Sequence, residues 1–132
     1  MGKPAAKAGD QIKAVDMHNV IMPNGTVVPQ PFNFMGKLKK DSCIDTVKIN
    51  GKLAAVVGSK GKNSPSHMPV QPGVSLQKPP NNEGEIKMGS QTVQIGGKAA
   101  ARHGDMAQTC MDIPGPPAQV VVMGKSDVLI GG

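Results

Sequence analysis

The residues with chemistry to offer are few: three histidines, His18, His67 and His103, and two cysteines, Cys43 and Cys110. Imidazole nitrogen and thiolate sulfur are both good ligands for Zn²⁺, which imposes no geometry of its own. His18 lies eight residues after Asp10, and His67 lies eight residues after Ser59. The same step from Asp105 reaches Ile113, but that segment carries His103 and Cys110 instead. One plus one plus two gives four ligands, His18, His67, His103 and Cys110. Taken singly, each histidine reads as a surface residue; the shared spacing of His18 and His67 favours a closed tetrahedral site, with zinc preferred over Fe²⁺. Cys43, in "KKDSCID", falls outside the pattern and reads as a small apolar residue, with a role as the alternative thiol ligand left open.

That spacing has meaning only because Asp10, Ser59 and Asp105 occupy one position of a repeat. "VKINGKLAAVVGS" at 47–59 returns 46 positions later as "VQIGGKAAARHGD" at 93–105, with seven of 13 positions identical. An internal repeat has to be explained before any other feature. Each copy opens with the alternation of a half-buried strand and passes at once into Asn50-Gly51 or Gly96-Gly97, the dipeptides of a two-residue hairpin turn. A short, alanine-rich strand follows, which implies that two backbones pass close together. "VLIGG" at 128–132 repeats the first half of the unit, and "KPAAKAGD" at 3–10 repeats the second half. The last and first strands therefore read as two arms of a third hairpin. A Met-Gly pair precedes each copy: Met35-Gly36, Met88-Gly89 and Met123-Gly124. The expectation is a mainly β protein, a single domain over 1–132 built of three pseudo-threefold hairpin repeats (about 36–67, 89–115, and 124–132 joined in space with 3–22). Long loops connect them, with little or no helix, since Pro or Gly interrupts nearly every window.

Composition narrows the function. With 17 Gly, 12 Pro, two Phe and neither Trp nor Tyr, the chain has little large apolar surface to bury and must lean on aliphatic residues and nine Met. A small domain in that position gains much from a metal. The net charge of +6 comes from lysines spread along the chain, without the aromatic residues that stack on bases, which argues against a nucleic-acid partner. "KLKKD" at 37–41 reads as a charged hairpin edge, and the Pro-rich stretch 61–87 as an extended surface connector that delivers His67. The start lacks the apolar stretch of a signal peptide, and no run approaches the roughly 20 apolar residues of a membrane span. The expectation is a protein made in a bacterial cytoplasm, with its two cysteines free or metal-bound.

"PAAKAGD" at 4–10, "INGKLAAVVGS" at 49–59 and "IGGKAAARHGD" at 95–105 resemble the Pro-Ala-Ala-Arg motifs of the PAAR-repeat family, with Lys7, Val56 and Arg102 at the Arg position. The resemblance implies a small β-structured cone that caps the central spike of a contractile injection machine, either a type VI secretion system or an extracellular phage-tail-like particle. It implies a non-enzymatic role, a monomer seated on a trimeric VgrG-like or phage-spike-like protein, transient contact with a target membrane, and attachment of an effector. It also implies assembly at the tip of the particle, delivery outside the cell, and one structural zinc on His18, His67, His103 and Cys110. On this reading a flat spike-binding base is expected from Val27, Val28, Val120, Val122, Val128 and Ile130.

Two other classes compete. A zinc hydrolase needs an open coordination position and a general base, whereas four protein ligands close the site. Glu83 and Glu85 fall in a Pro/Asn-rich loop, no His-Glu-x-x-His is present, and "GKS" at 124–126 has Gln119 where a phosphate-binding loop needs its first Gly. A small zinc-binding β-structural or adhesin-like protein without a spike partner is the second alternative.

Overall fold

The computed structural model describes residues 2–64, 66–69, 72–111, 118–123 and 126–131. Its strands are β1 (Lys3–Pro4), β2 (Gln11–Ile21), β3 (Val27–Leu38), β4 (Ile44–Ile49), β5 (Lys52–Ala54), β6 (Lys60–Asn63), β7 (Ser75–Leu76), β8 (Glu83–Ile86), β9 (Gln94–Ile95), β10 (Lys98–Ala99), β11 (Met106–Gln108), β12 (Ala118–Val121) and β13 (Leu129–Ile130). A single 3₁₀ turn, Lys40–Ser42, is the only helical element among the described residues. The chain is mainly β, as its sequence implies.

The repeats form three antiparallel hairpins: β4 with β5, β9 with β10, and β13 with β1. Asn50-Gly51 and Gly96-Gly97 take positive φ (50° and 82°, 61° and 81°), as a type I′ turn requires. The pairing Lys3↔Ile130 and Pro4↔Leu129 makes the third hairpin from strands at opposite ends of the sequence.

Three chain segments then close on one another through the alanines. Ala6 N–H donates to Ala101 C=O (2.9 Å), Ala101 N–H to Ala55 C=O (3.0 Å), and Ala55 N–H to Ala6 C=O (3.0 Å). A second ring runs beside the first, Ala8 to Leu53, Val57 to Ala99 and His103 to Pro4, at 2.8 to 2.9 Å. Both rings map onto themselves when each unit is replaced by the next. Ala5, Ala6, Ala54, Ala55, Ala100 and Ala101 are buried, so the small side chain is what lets three backbones meet. Ala5, Ala54 and Ala100 pack with Ile49 and Ile130 and with the partly buried Ile95, a miniature threefold core.

Ala6, Ala55 and Ala101 belong to the adjoining core with Ile12, Phe34, Leu38, Ile86, Ala107, Ala118 and Val120. Half of those ten are alanine, so Phe34, Ile12 and Ile86 carry most of the buried area. They fill a small closed barrel with strand order β12-β11-β8-β6-β3-β2, in which β12 returns to pair with β2, and β7 adds to the far end of β2.

The Pro-rich stretch 61–87 is not a plain connector. It holds most of β6 and all of β7 and β8, and Glu83 and Glu85 lie on a barrel strand, not in a loop. Gly61 and Gly84 pair directly, and their lack of side chains admits Phe34 and the neighbouring backbone.

Candidate metal centre

β2 and β3 form one hairpin with eleven registered pairs, from Gln11↔Lys37 beside the alanine ring to Ile21↔Val27 at the far end. Along β2 every second residue faces inward: Ile12, Ala14, Asp16, His18 and Val20. On its edge away from β3, β2 pairs with β12 only at Gln11–Lys13 and with β7 only at Val20–Ile21, so Asp16 and His18 sit in the interval between them.

There the structure gathers Asp16, His18, His67 and Cys110, with one ligand-type atom from each within 4.8 Å of all the others. His67 Nε2 lies 3.0 Å and His18 Nε2 3.9 Å from Asp16 Oδ2. Cys110 Sγ lies 3.5 Å from Asp16 Oδ2 and 3.8 Å from His18 Nε2. Ligand bonds of 2.0–2.3 Å arranged tetrahedrally place donor atoms about 3.3–3.8 Å apart, so this group of one O, two N and one S fits a small divalent cation. Asp16 and His18 are fully buried, and His67 is nearly so.

The surroundings hold the group in place. Both phenylalanines line it: Phe32 meets His18 edge-on at 5.5 Å and His67 at 5.3 Å, and Phe34 lies 6.1 Å from His67. Asn82 Oδ1 accepts the His67 backbone N–H at 2.9 Å, and Asn63 Nδ2 stands 3.3 Å from His67 Nδ1. Thr109 Oγ1 donates to Asp16 Oδ1. Burial, and then the Asp16 carboxylate beside it, pushes the Cys110 thiol up to about 11.

Three of the four sequence-derived ligands are thus brought together, and His103 is not. It lies exposed beside the alanine ring, where its Nδ1 accepts the Val122 N–H at 3.1 Å. Arg102 is the buried side chain at this turn, held by its ion pair to Asp105, and His103 next to it is exposed. Asp16 is the fourth member of the cluster. The signal for it was the period-two run Ile12, Ala14, Asp16, His18, Val20, in which an inward His implies an inward residue two positions earlier. Cys43 sits instead near Ser42 and Ser59, its thiol also raised by burial.

The six residues expected to form one flat base do not share a surface. Val120 and Ile130 are core residues and Val122 packs against the barrel core, whereas Val27 and Val28 are exposed at the far end of the β2–β3 hairpin and Val128 is exposed on the third repeat. Apolar strand residues alternate between interior and surface, so strings of Val on different strands do not define a common face. Ile113 and Gly124 lie outside the described residues.

The class defined by this architecture is a small β protein in which three hairpins of one chain imitate a threefold axis next to a buried metal-type donor cluster. Residues 76–132 match the family model of the PAAR motif, which bears out the resemblance of this chain to the PAAR-repeat family. The match covers the repeat copy at 93–105 and the closing strand, and the segments 4–10 and 49–59 outside it take equivalent places in the alanine rings. Neither a curated protein nor a solved structure matches the chain.

Proposed function

We propose that this chain is the metal-held tip of a contractile injection machine, seated as a monomer on the threefold end of a trimeric central spike. The observation that carries the reading is the pair of closed alanine-segment rings, in which one chain repeats its contacts three times about one axis, on a protein with a PAAR motif. Such a body offers three similar surfaces to three identical spike subunits. A heterologous pairing of one chain with a trimer otherwise leaves two of three sites unmatched.

Zinc on Asp16, His18, His67 and Cys110 would tie β2 to the segments carrying His67 and Cys110, where the core is narrow and the barrel strands have stopped. A closed structural site supplies folding free energy on the order of 10 kcal/mol, and with no open position it has no place for a reacting water. The exposed Val27 and Val28 beyond the site fit transient contact with a target membrane. The role is therefore mechanical, with delivery outside the cell as part of the particle.

A second reading rests on Asp16 itself. His67 Nε2–H, Thr109 Oγ1–H and Cys110 S–H can all donate to it, which makes a satisfied buried network without a metal. Elemental analysis of purified protein separates the two. About one zinc per chain supports the metal-held tip, and metal-free protein with unchanged stability on chelation supports the network. Size-exclusion with light scattering on a mixture with the trimeric spike protein of the same organism's injection machine tests the docking. One chain per trimer is expected, and separate elution of the two proteins would overturn it.

A further inference from the structure

Lys3, Lys52 and Lys98 occupy the same position in the three hairpins, each paired with the repeat isoleucine, Ile130, Ile49 or Ile95. All three are exposed. Lys52 reaches across to the neighbouring unit, its Nζ 3.7 Å from where a side chain on Gly9 would begin, and Lys98 stands 4.0 Å from the same point on Gly58. Gly9 and Gly58 are equivalent turn residues with φ of 93° and 98°. Lys52 and Lys98 therefore each lie over the turn of the preceding unit, at a junction between repeats, whereas Lys3 shares their register position but nothing comes within 4 Å of the equivalent point on Gly104.

Two of these junctions are open clefts of nearly the same size. The one at Gly9 and Lys52 has a volume of about 490 Å³ and also carries Lys40 and Lys48 against Leu38 and Leu53. The one at Gly58 and Lys98 has a volume of about 460 Å³, with Lys39 and Lys60 against Ile44. Asp41 and Glu83 line the second cleft too, Glu83 in an ion pair with Lys39 at 3.5 Å. Each cleft thus combines an aliphatic wall with an excess of ammonium groups.

We infer that the equivalent hairpin lysines Lys3, Lys52 and Lys98 receive three identical carboxylates, one from each subunit of a threefold-symmetric protein. This deepens the proposed function and rests on it, by giving the spike's end a chemistry: an acidic side chain flanked by an aliphatic one, repeated three times. Phosphate chains are a poorer fit, because the lysines are disposed about an axis and not along a track, and no Trp or Tyr accompanies them. Complementary charge of this kind sets docking register and association rate, and makes both sensitive to salt.

The test measures binding of the full chain to the trimeric spike protein of the same organism's machine, at low and at moderate salt, for the wild type, K3E, K52E, K98E and the triple variant. Circular dichroism and melting confirm that the exposed substitutions leave the fold intact. The expected result is a similar loss for each single variant, roughly tenfold, loss of detectable binding in the triple variant, and weaker wild-type binding as salt rises. Unchanged affinity in the triple variant, or a loss confined to one lysine, would overturn the junction contacts while leaving the spike reading standing. Absence of wild-type binding overturns both. Wild-type binding to phosphatidylglycerol vesicles that disappears in the triple variant, with spike binding unchanged, reassigns the lysines to a membrane surface and overturns the inference.

Discussion

Ser59 Oγ accepts the backbone N–H of Val56 at 3.0 Å, in the place where Asp10 holds the N–H of Lys7 at 2.9 Å and Asp105 that of Arg102 at 2.7 Å. In the outer two units the carboxylate also pairs with the buried side chain, Lys7 Nζ at 3.1 Å and Arg102 Nη2 at 2.9 Å. The middle unit has lost both charges together and kept the backbone bond. Apolar Val56 and neutral Ser59 are thus one substitution, since a buried charge left without its partner is far more costly than a pair replaced jointly. Asp105→Ala should therefore destabilise by about 3–5 kcal/mol and Ser59→Ala by only about 1–3 kcal/mol, measured by urea unfolding. Ser59→Asp should be as harmful as Asp105→Ala, and adding Val56→Arg should recover part of the loss. Equal costs for Asp105→Ala and Ser59→Ala would contradict this account.

The metal set is distinguished by one pair of variants. Asp16→Asn keeps the shape of the side chain and removes its charge, and His103→Ala removes a ring that lies outside the cluster. Asp16→Asn, His18→Ala, His67→Ala and Cys110→Ala should each lose bound zinc and melt at lower temperature, whereas His103→Ala should retain about one zinc per chain. Metal lost with His103→Ala and kept with Asp16→Asn would restore the ligand set expected from the repeats.

The two thiols should separate by their response to zinc. Burial raises both, Cys110 to about 11, and a raised thiol pKa means less thiolate at neutral pH. At pH 8 the Cys110 thiolate is about one part in a thousand, so alkylation of metal-free protein should be slow and should accelerate about tenfold per pH unit. Added zinc should shield Cys110 and leave the rate at Cys43 unchanged, as read by mass spectrometry of the labelled peptides. Protection of Cys43 instead would place the metal elsewhere.

How far the sequence alone reaches is visible in the same residues. The hairpins were legible because their turns need Asn-Gly or Gly-Gly and their strands alternate, both local rules. The joining of Lys3–Pro4 to Leu129–Ile130 was legible because the repeat itself was split. The barrel strands within 61–87 were not, since Gly61, Gly84 and several prolines mask the alternation that packing against Phe34 later explains. His103 was expected beside the other three because repeat position was read as spatial position, whereas it lies outside the cluster. Asp16 was legible only through the period-two run that it shares with His18, since a lone acidic residue in a strand carries no signature of its own.

Packing around Phe34 sets the last prediction. Its ring meets positions 36 and 84, 2.8 and 3.2 Å from where side chains on Gly36 and Gly84 would begin. A side chain on Gly61 would begin 2.7 Å from the Gly36 carbonyl oxygen, a backbone atom that cannot swing aside. Gly61→Ala must therefore part β3 from β6, which should cost about 1–3 kcal/mol, and Phe34→Ala should cost about 3–5 kcal/mol in a core where half the buried residues are alanine. Gly131→Ala, with nothing within 4 Å, should be close to neutral. Because Phe34 and Phe32 also line the metal cluster, Phe34→Ala should weaken zinc retention under chelator challenge, and Gly61→Ala should do so less. Unfolding midpoints and zinc release rates measured on the same samples decide it, and a Gly61→Ala protein as stable as the Gly131→Ala control would show that the two strands are less tightly apposed than the packing requires.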